Sequence, residues 1–269
     1  WRFNAATASH EELTNVSDAL TPGRGYEVYI EPNARTYTSG AMDYEGTLNS
    51  GTVGITLSQG FNLVGNPYHS FINFGNLGAS GMSSTFYIWD TDAGNYAPLG
   101  TSDNIAPAQG FWVNKTTAGS TTLNFNENDK VNSNANTFLR EKKGKNNFKL
   151  ELSNQVNQYK HALELKFSPN ASASIDEEDA FHLPSPLKEA PALVAKIEGS
   201  EQGLVINNLN QWEAAHRIPL EVKAGVAGDY RIQAEELETL YEKYNCVYLH
   251  DKAEKQNIDL SVEPPYEFF

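Results

Sequence analysis

Apolar residues recur at every second position through much of the chain. GYEVYI (25–30) places Tyr26, Val28 and Ile30 on one face and Glu27 and Tyr29 on the other, the period of a half-buried strand. TVGITL (52–57), FNLVGNPY (61–68), TFYIWD (85–90) and TTLNFN (121–126) continue the series. WDTDAGNY (89–96) predicts a hairpin, with Asp92, Gly94 and Asn95 supplying the turn between Trp89 and Tyr96. Between Asn126 and Asn147 the pattern breaks, and only Phe138 and Leu139 could anchor that polar run. Strands then resume. NFKLELS and HALELKF form a hairpin around NQVNQYK, and GLVINNL, RIPLEVKAG, GDYRIQA, CVYLHD and IDLSV follow at β-sandwich spacing. One segment, AEELETLYEKY (234–244), has helical spacing through Leu237, Leu240, Tyr241 and Tyr244. The expectation is an all-β protein with very little helix. It has two β-sandwich-like domains, 1–130 and 148–269, joined by a linker at 131–147.

The first domain carries an internal similarity. LTPGRGYEVYI (20–30) matches IAPAQGFWVNK (105–115) at Leu20/Ile105, Pro22/Pro107, Gly25/Gly110, Tyr26/Phe111 and Val28/Val113. Proline fixes φ entering the turn, the glycine admits backbone that a Cβ would forbid, and the aromatic anchors the strand. A tryptophan precedes each copy, Trp1 and Trp89, so the expectation is a duplicated β-unit whose first copy lacks its opening strand.

Composition agrees with short strands and polar turns: 11% aromatic residues, 20 glycines and only 20% charged residues. The net charge of −14 argues against nucleic acid, whose phosphates are held by clustered Lys and Arg. Cys246 is the single cysteine, so an intrachain disulfide is impossible; its apolar strand setting points to a buried, inert thiol. No run of apolar residues is long enough to form a membrane-spanning segment. The chain begins WRFN and ends PPYEFF within a strand pattern, which suggests a piece of a longer polypeptide.

FNLVGNPYHSFINF, followed by FYIWDTDAGNYAPL and IAPAQGFWV, resembles a β-rich module of large secreted proteins that use the type IX secretion route. SIDEEDAFHLPSP, GLVINNL, RIPLEVKAGVAGDYRI, VYLHDKAEKQNIDL and PPYEFF resemble the β-sandwich that follows this module, before a C-terminal sorting domain. The resemblance implies an extracellular or cell-surface protein, attached to the outer membrane, with the type IX machinery as a partner. It implies no catalytic residues in these modules.

Candidate chemistry is sparse. Asp176, Glu177, Glu178 and Asp179 form an acidic run in a loop; Asp176, Glu178 and Asp179 are the candidate Ca²⁺ ligands, against the alternative of a solvated run. No other cofactor is expected. The six histidines lack metal-site spacing, and no nucleophile elbow is present, so an enzyme is not expected. His250–Asp251 reads as a turn at a strand end. Trp112 occupies the position of Glu27 in the first copy, on the face opposite Phe111 and Val113. It could therefore be a surface platform for a sugar ring, or it could pack under a loop or against the second domain. Gln109 is the other residue particular to the second copy, and Trp212 lies in a loop with the same two readings. The expectations are a structural or adhesive segment, a carbohydrate-binding module using surface tryptophans that meets extracellular glycan, or passive cargo of a secreted enzyme.

Overall fold

The computed structural model describes the chain apart from residues 16, 18, 28–46, 133–146, 170, 173, 177, 201, 211–216, 236, 238–246 and 261–264. The protein is all-β: among the described residues the only helical pieces are the 3₁₀ turns Phe74–Asn76 and Glu127–Asp129. The helical pattern of 234–244 and Cys246 fall almost wholly outside the described residues, as do residues 28–30 of the strand expected at 25–30. The chain divides into two compact units. The first takes Trp1–Ile88 and Leu99–Arg140, the second Trp89–Pro98 and Glu141–Phe269. The WDTDAGNY hairpin, expected in the first domain, therefore belongs to the second.

In the first unit the central strand Gly110–Lys115 pairs antiparallel with Gly60–Gly65 on one side and Met82–Asp90 on the other. A three-stranded sheet (Lys130–Val131, Phe71–Asn73, Asn104–Ile105) and the pair Thr121–Phe125/Val53–Leu57 complete its layers. Alternation sends Val64, Phe86, Phe111 and Val113 inward to meet Ile72, Ile105, Leu57, Leu123 and Phe125 in one buried cluster. Phe74 sits among them, 4.5 Å from the Phe86 ring and 6.4 Å from Phe111.

The second unit is built on an eight-stranded sheet, ordered Leu220–Lys223, Ala192–Lys196, Gly203–Asn210, Lys160–Ser168, Asn147–Asn154, Tyr230–Glu235, Tyr266–Phe268, with Ala180–Phe181 also on Gly203–Asn210. Lys160–Ser168 and Gly203–Asn210 run parallel; every other pair is antiparallel. Phe148, Leu150 and Leu152 point inward with Leu163, Leu165, Phe167, Tyr230 and Ile232. Their neighbours Glu151, Ser153, Lys160 and Arg231 point outward. Strand alternation thus divides this sheet into an apolar inner and a polar outer face.

The internal similarity extends into backbone geometry. Arg24 N donates to Thr21 O and Gln109 N to Ala106 O, both at 3.1 Å, in turns with proline second and a left-handed residue third. That third residue is Gly23 (φ 82°) in one copy and Ala108 (φ 56°) in the other. Each copy also has a hairpin. Arg2–Asn4 turns back into Ser9–Glu11, as Met82–Asp90 turns into Asn95–Leu99. Asn4 Oδ1 accepts from Ala6 N (3.1 Å) just as Asp90 Oδ1 accepts from Asp92 N (2.9 Å). Ala8 (φ 49°) and Gly94 (φ 64°) close the two turns. Phe3 and His10 lie edge-on at 5.2 Å, Trp89 and Tyr96 at 5.1 Å. The counterpart of Trp89 is therefore Phe3, not Trp1, and the first copy does possess its opening strand. Trp1 matches Trp89 in residue type alone: it stands 21 residues before Pro22, against 18 from Trp89 to Pro107 and 19 from Phe3 to Pro22.

The glycines of the two turns differ. Gly25 N bonds Leu63 O and Gly65 N bonds Gly23 O, on the edge of Gly60–Gly65 away from Gly110–Lys115. A Cβ on Gly25 would lie 2.5 Å from Val64 O, whereas one on Gly110 would meet nothing closer than 3.9 Å. The steric demand holds at Gly25 alone.

Candidate functional site

Trp112 does point away from Phe111 and Val113, but it is no open platform: its indole is only 4% exposed. Phe3 covers it edge-on at 4.7 Å and His10 at 6.2 Å, both from the first hairpin. His10 also meets the Glu27 carboxylate at 2.9 Å, so the position matched to Trp112 lies under the same strap. Covalent neighbours could not reveal this, because the covering strand lies about a hundred residues away in sequence. Gln109 is half-buried and directs its Nε2 to Gly110 O (2.8 Å), while its own carbonyl accepts from Asn66 N (3.0 Å). It serves the turn. Trp212 lies outside the described residues.

The acidic loop has a framework geometry. Asp179 is buried; its Oδ1 accepts from Asn208 N (2.8 Å) and its Oδ2 from Asp176 N (2.9 Å). Asp176 Oδ1 accepts from Glu178 N (2.8 Å) and its Oδ2 from Ser172 N (3.3 Å). Glu178 accepts from the Asn208 amide. Burial raises the Asp179 carboxyl above its usual range, opposed by those two backbone N–H groups. The carboxylates therefore staple the loop to the Gly203–Asn210 strand. Among the described residues no three His, Cys, Asp or Glu side chains gather as a metal site.

Two histidines share the interior of the second unit. His161 and His182 lie edge-on at 5.0 Å, and His161 Nδ1 is 3.1 Å from Leu193 N. Burial lowers His161 to about 3, with His182 adding to the effect, and burial lowers His182 to about 4 with help from Lys223. Both rings are neutral at physiological pH. His182 Nε2 is buried without a hydrogen-bond partner among the described residues.

A recess of about 370 Å³ lies on the outer face of the second unit's sheet. Its floor is a cross-strand row. Ser153 stands opposite Lys160 on one side and Arg231 on the other, and Arg231 stands opposite Glu267. Its rim is the 154–159 loop, which is held rigidly. Asn154 Oδ1 accepts from Val156 N (2.8 Å) and Asn157 N (2.9 Å), and Asn157 Oδ1 accepts from Tyr159 N (2.9 Å). Asn157 Nδ2 anchors the loop to Glu189 O (3.2 Å). Glu151, on the floor, is paired with Lys160 at 2.8 Å. The guanidinium of Arg231, the carboxylates of Asp229 and Glu267 and the hydroxyl of Ser153 have no hydrogen-bond or ion-pair partner among the described residues. None of these was singled out from the sequence. Their only signal there is polar alternation, which marks an outward face but not which strands lie side by side.

The family model described as a domain of unknown function (DUF8693) matches residues 74–269. No curated protein matches the chain, and no solved structure does.

Proposed function

We propose that this chain, which belongs to that family of domains of unknown function (DUF8693), is a non-catalytic structural and adhesive segment of a larger secreted protein. In this reading it lies outside the cell or on its surface and is exported by the type IX machinery. The observation that carries the proposal is how the resembling motifs are used. Asn66 of FNLVGNPY donates its amide to Ser70 O (2.9 Å) and Ala106 O (3.0 Å), and its Oδ1 accepts from Tyr68 N (3.0 Å). The Tyr68 hydroxyl in turn lies within hydrogen-bond distance of both Gly51 O and Phe125 O, which share its single hydrogen. Asp90 of the YIWD hairpin caps its own turn, and Asn95 donates to Lys160 O (2.7 Å). Buried polar groups with such complete backbone partnerships specify a rigid framework. A module whose distinguishing residues maintain its own shape suits a load-bearing or presenting role.

The test is deletion of this region from the full-length secreted protein in its host. The expected result is that the remaining protein is still exported and loses its retention on the cell surface. Unchanged retention would favour passive cargo. Hydrolysis of a polysaccharide or peptide by the purified chain, abolished by a point variant, would overturn the non-catalytic reading.

A further inference from the structure

We propose that the recess over Ser153, Arg231 and Glu267 is a binding site for a neutral oligosaccharide, the adhesive surface of the role proposed above. The proposal rests on that role only for its biological setting.

Three observations lead to a saccharide. First, the recess sets polar side chains beside apolar surface in comparable measure, and its volume of about 370 Å³ lies within the usual ligand-site range. A mixed lining of that size suits a ligand that carries hydroxyl groups on a C–H framework, apolar on its faces and polar at its edges. Second, donors and acceptors alternate along the row. The Ser153 hydroxyl both donates and accepts, the Arg231 guanidinium donates, and the Glu267 carboxylate accepts. A phosphate or a nucleic acid would call for clustered cations, and a metal for converging carboxylates. Vicinal hydroxyls, each donor and acceptor at once, match an interleaved row. Third, the site is preformed and unengaged. The floor is a paired sheet and the rim is locked by Asn154 and Asn157, so little ordering entropy opposes binding. The part of the row that lines the recess crosses three strands, about 10 Å at the spacing of paired strands, enough for more than one sugar ring.

Neutrality follows from charge. Asp229 and Glu267 outnumber Arg231 at the site, Glu151 and Lys160 offsetting each other, and the whole chain carries a net charge of −14. Both repel anionic glycans.

The experiment uses the purified 269-residue chain. Probes are oligomers of two to six units of glucose, mannose, xylose and N-acetylglucosamine, with hyaluronan and alginate fragments as anionic comparators. Saturation-transfer NMR identifies binders and calorimetry measures them. At least one neutral oligomer is expected to bind, with affinity falling at least tenfold in Arg231→Ala and in Glu267→Gln. Ser153→Tyr, which fills the recess, is expected to abolish binding, while Glu221→Gln on the far edge strand leaves it unchanged. Thermal midpoints check that each variant folds. The proposal is overturned if no neutral oligomer binds, if only anionic fragments bind, or if binding is indifferent to Arg231 and Glu267 in folded variants. Each of these results leaves the deletion test of surface retention standing on its own.

Discussion

Phe3 stands edge-on to Trp112 with ring centroids 4.7 Å apart, so a hairpin near the start of the described chain covers an aromatic on the central strand of the first unit. The contact converts an outward-facing tryptophan into a buried one. It also leaves the hairpin itself, whose turn residues Ala6, Thr7 and Ala8 are exposed, dependent on few contacts.

Phe3→Ala is expected to uncover the indole. The variant should lose about 1–2 kcal/mol, since Phe3 is half-buried and an edge-on aromatic pair adds to its burial. Acrylamide quenching of tryptophan fluorescence checks this. Quenching should rise in Phe3→Ala but not when Trp112→Phe is also present. Equal quenching of wild type and Phe3→Ala would remove the strap from the account.

The two copies of the proline turn should answer substitution differently. Ala108→Gly is expected to stabilise the first unit by roughly 0.5–1 kcal/mol, by relieving a left-handed alanine at φ 56°. Gly25→Ala is expected to cost more than about 2 kcal/mol, because its Cβ meets the Val64 carbonyl oxygen at 2.5 Å. Gly110→Ala should change stability by less than about 1 kcal/mol. Urea unfolding of the three variants tests the order, and similar losses at both glycines would contradict it.

Asn66→Ala should destabilise by about 2–4 kcal/mol. It leaves the Ser70 and Ala106 carbonyls and the Tyr68 N–H without their side-chain partner in a buried place. Asn66→Asp is expected to rescue little, because a carboxylate keeps the acceptor and loses both donors. Urea midpoints at fixed pH measure both.

The His161–His182 pair predicts a stability that falls with acid. Both rings titrate near 6.5 in the unfolded chain and are lowered to about 3 and about 4 in the fold. The unfolded state therefore binds more protons as pH drops from about 6.5, and stability is lost from there down to about 4 for His182 and about 3 for His161. Above the unfolded value the pair contributes no slope. Thermal midpoints between pH 7.5 and 4.5 should decline, and less steeply in His161→Gln. An identical decline in that variant would assign the slope elsewhere.

Much of the architecture was legible in the alternation of apolar residues. NFKLELS and HALELKF are strands because each sends every second side chain into a core, and a local pattern suffices to say so. The Asp90 turn was legible for the same reason, since its Asx geometry is satisfied within four residues. Ala192–Lys196 was not, because a strand buried on both faces shows no alternation. The Phe3/Trp89 correspondence was not legible because the aromatic of the first copy is a phenylalanine with a tryptophan two residues before it, so residue type points to the wrong position.

The sequence by itself determined the all-β class, the hairpins and the outward polarity of Ser153, Arg231 and Glu267, because these depend on period and on turn chemistry. Tertiary structure decided which of those polar residues stand side by side, that the hairpin at Trp89–Pro98 belongs to the second unit, and that Trp112 is covered. Each of these is a pairing between segments far apart in the chain. Pairing of that kind is selected by the packing of whole sheets, which no local pattern records.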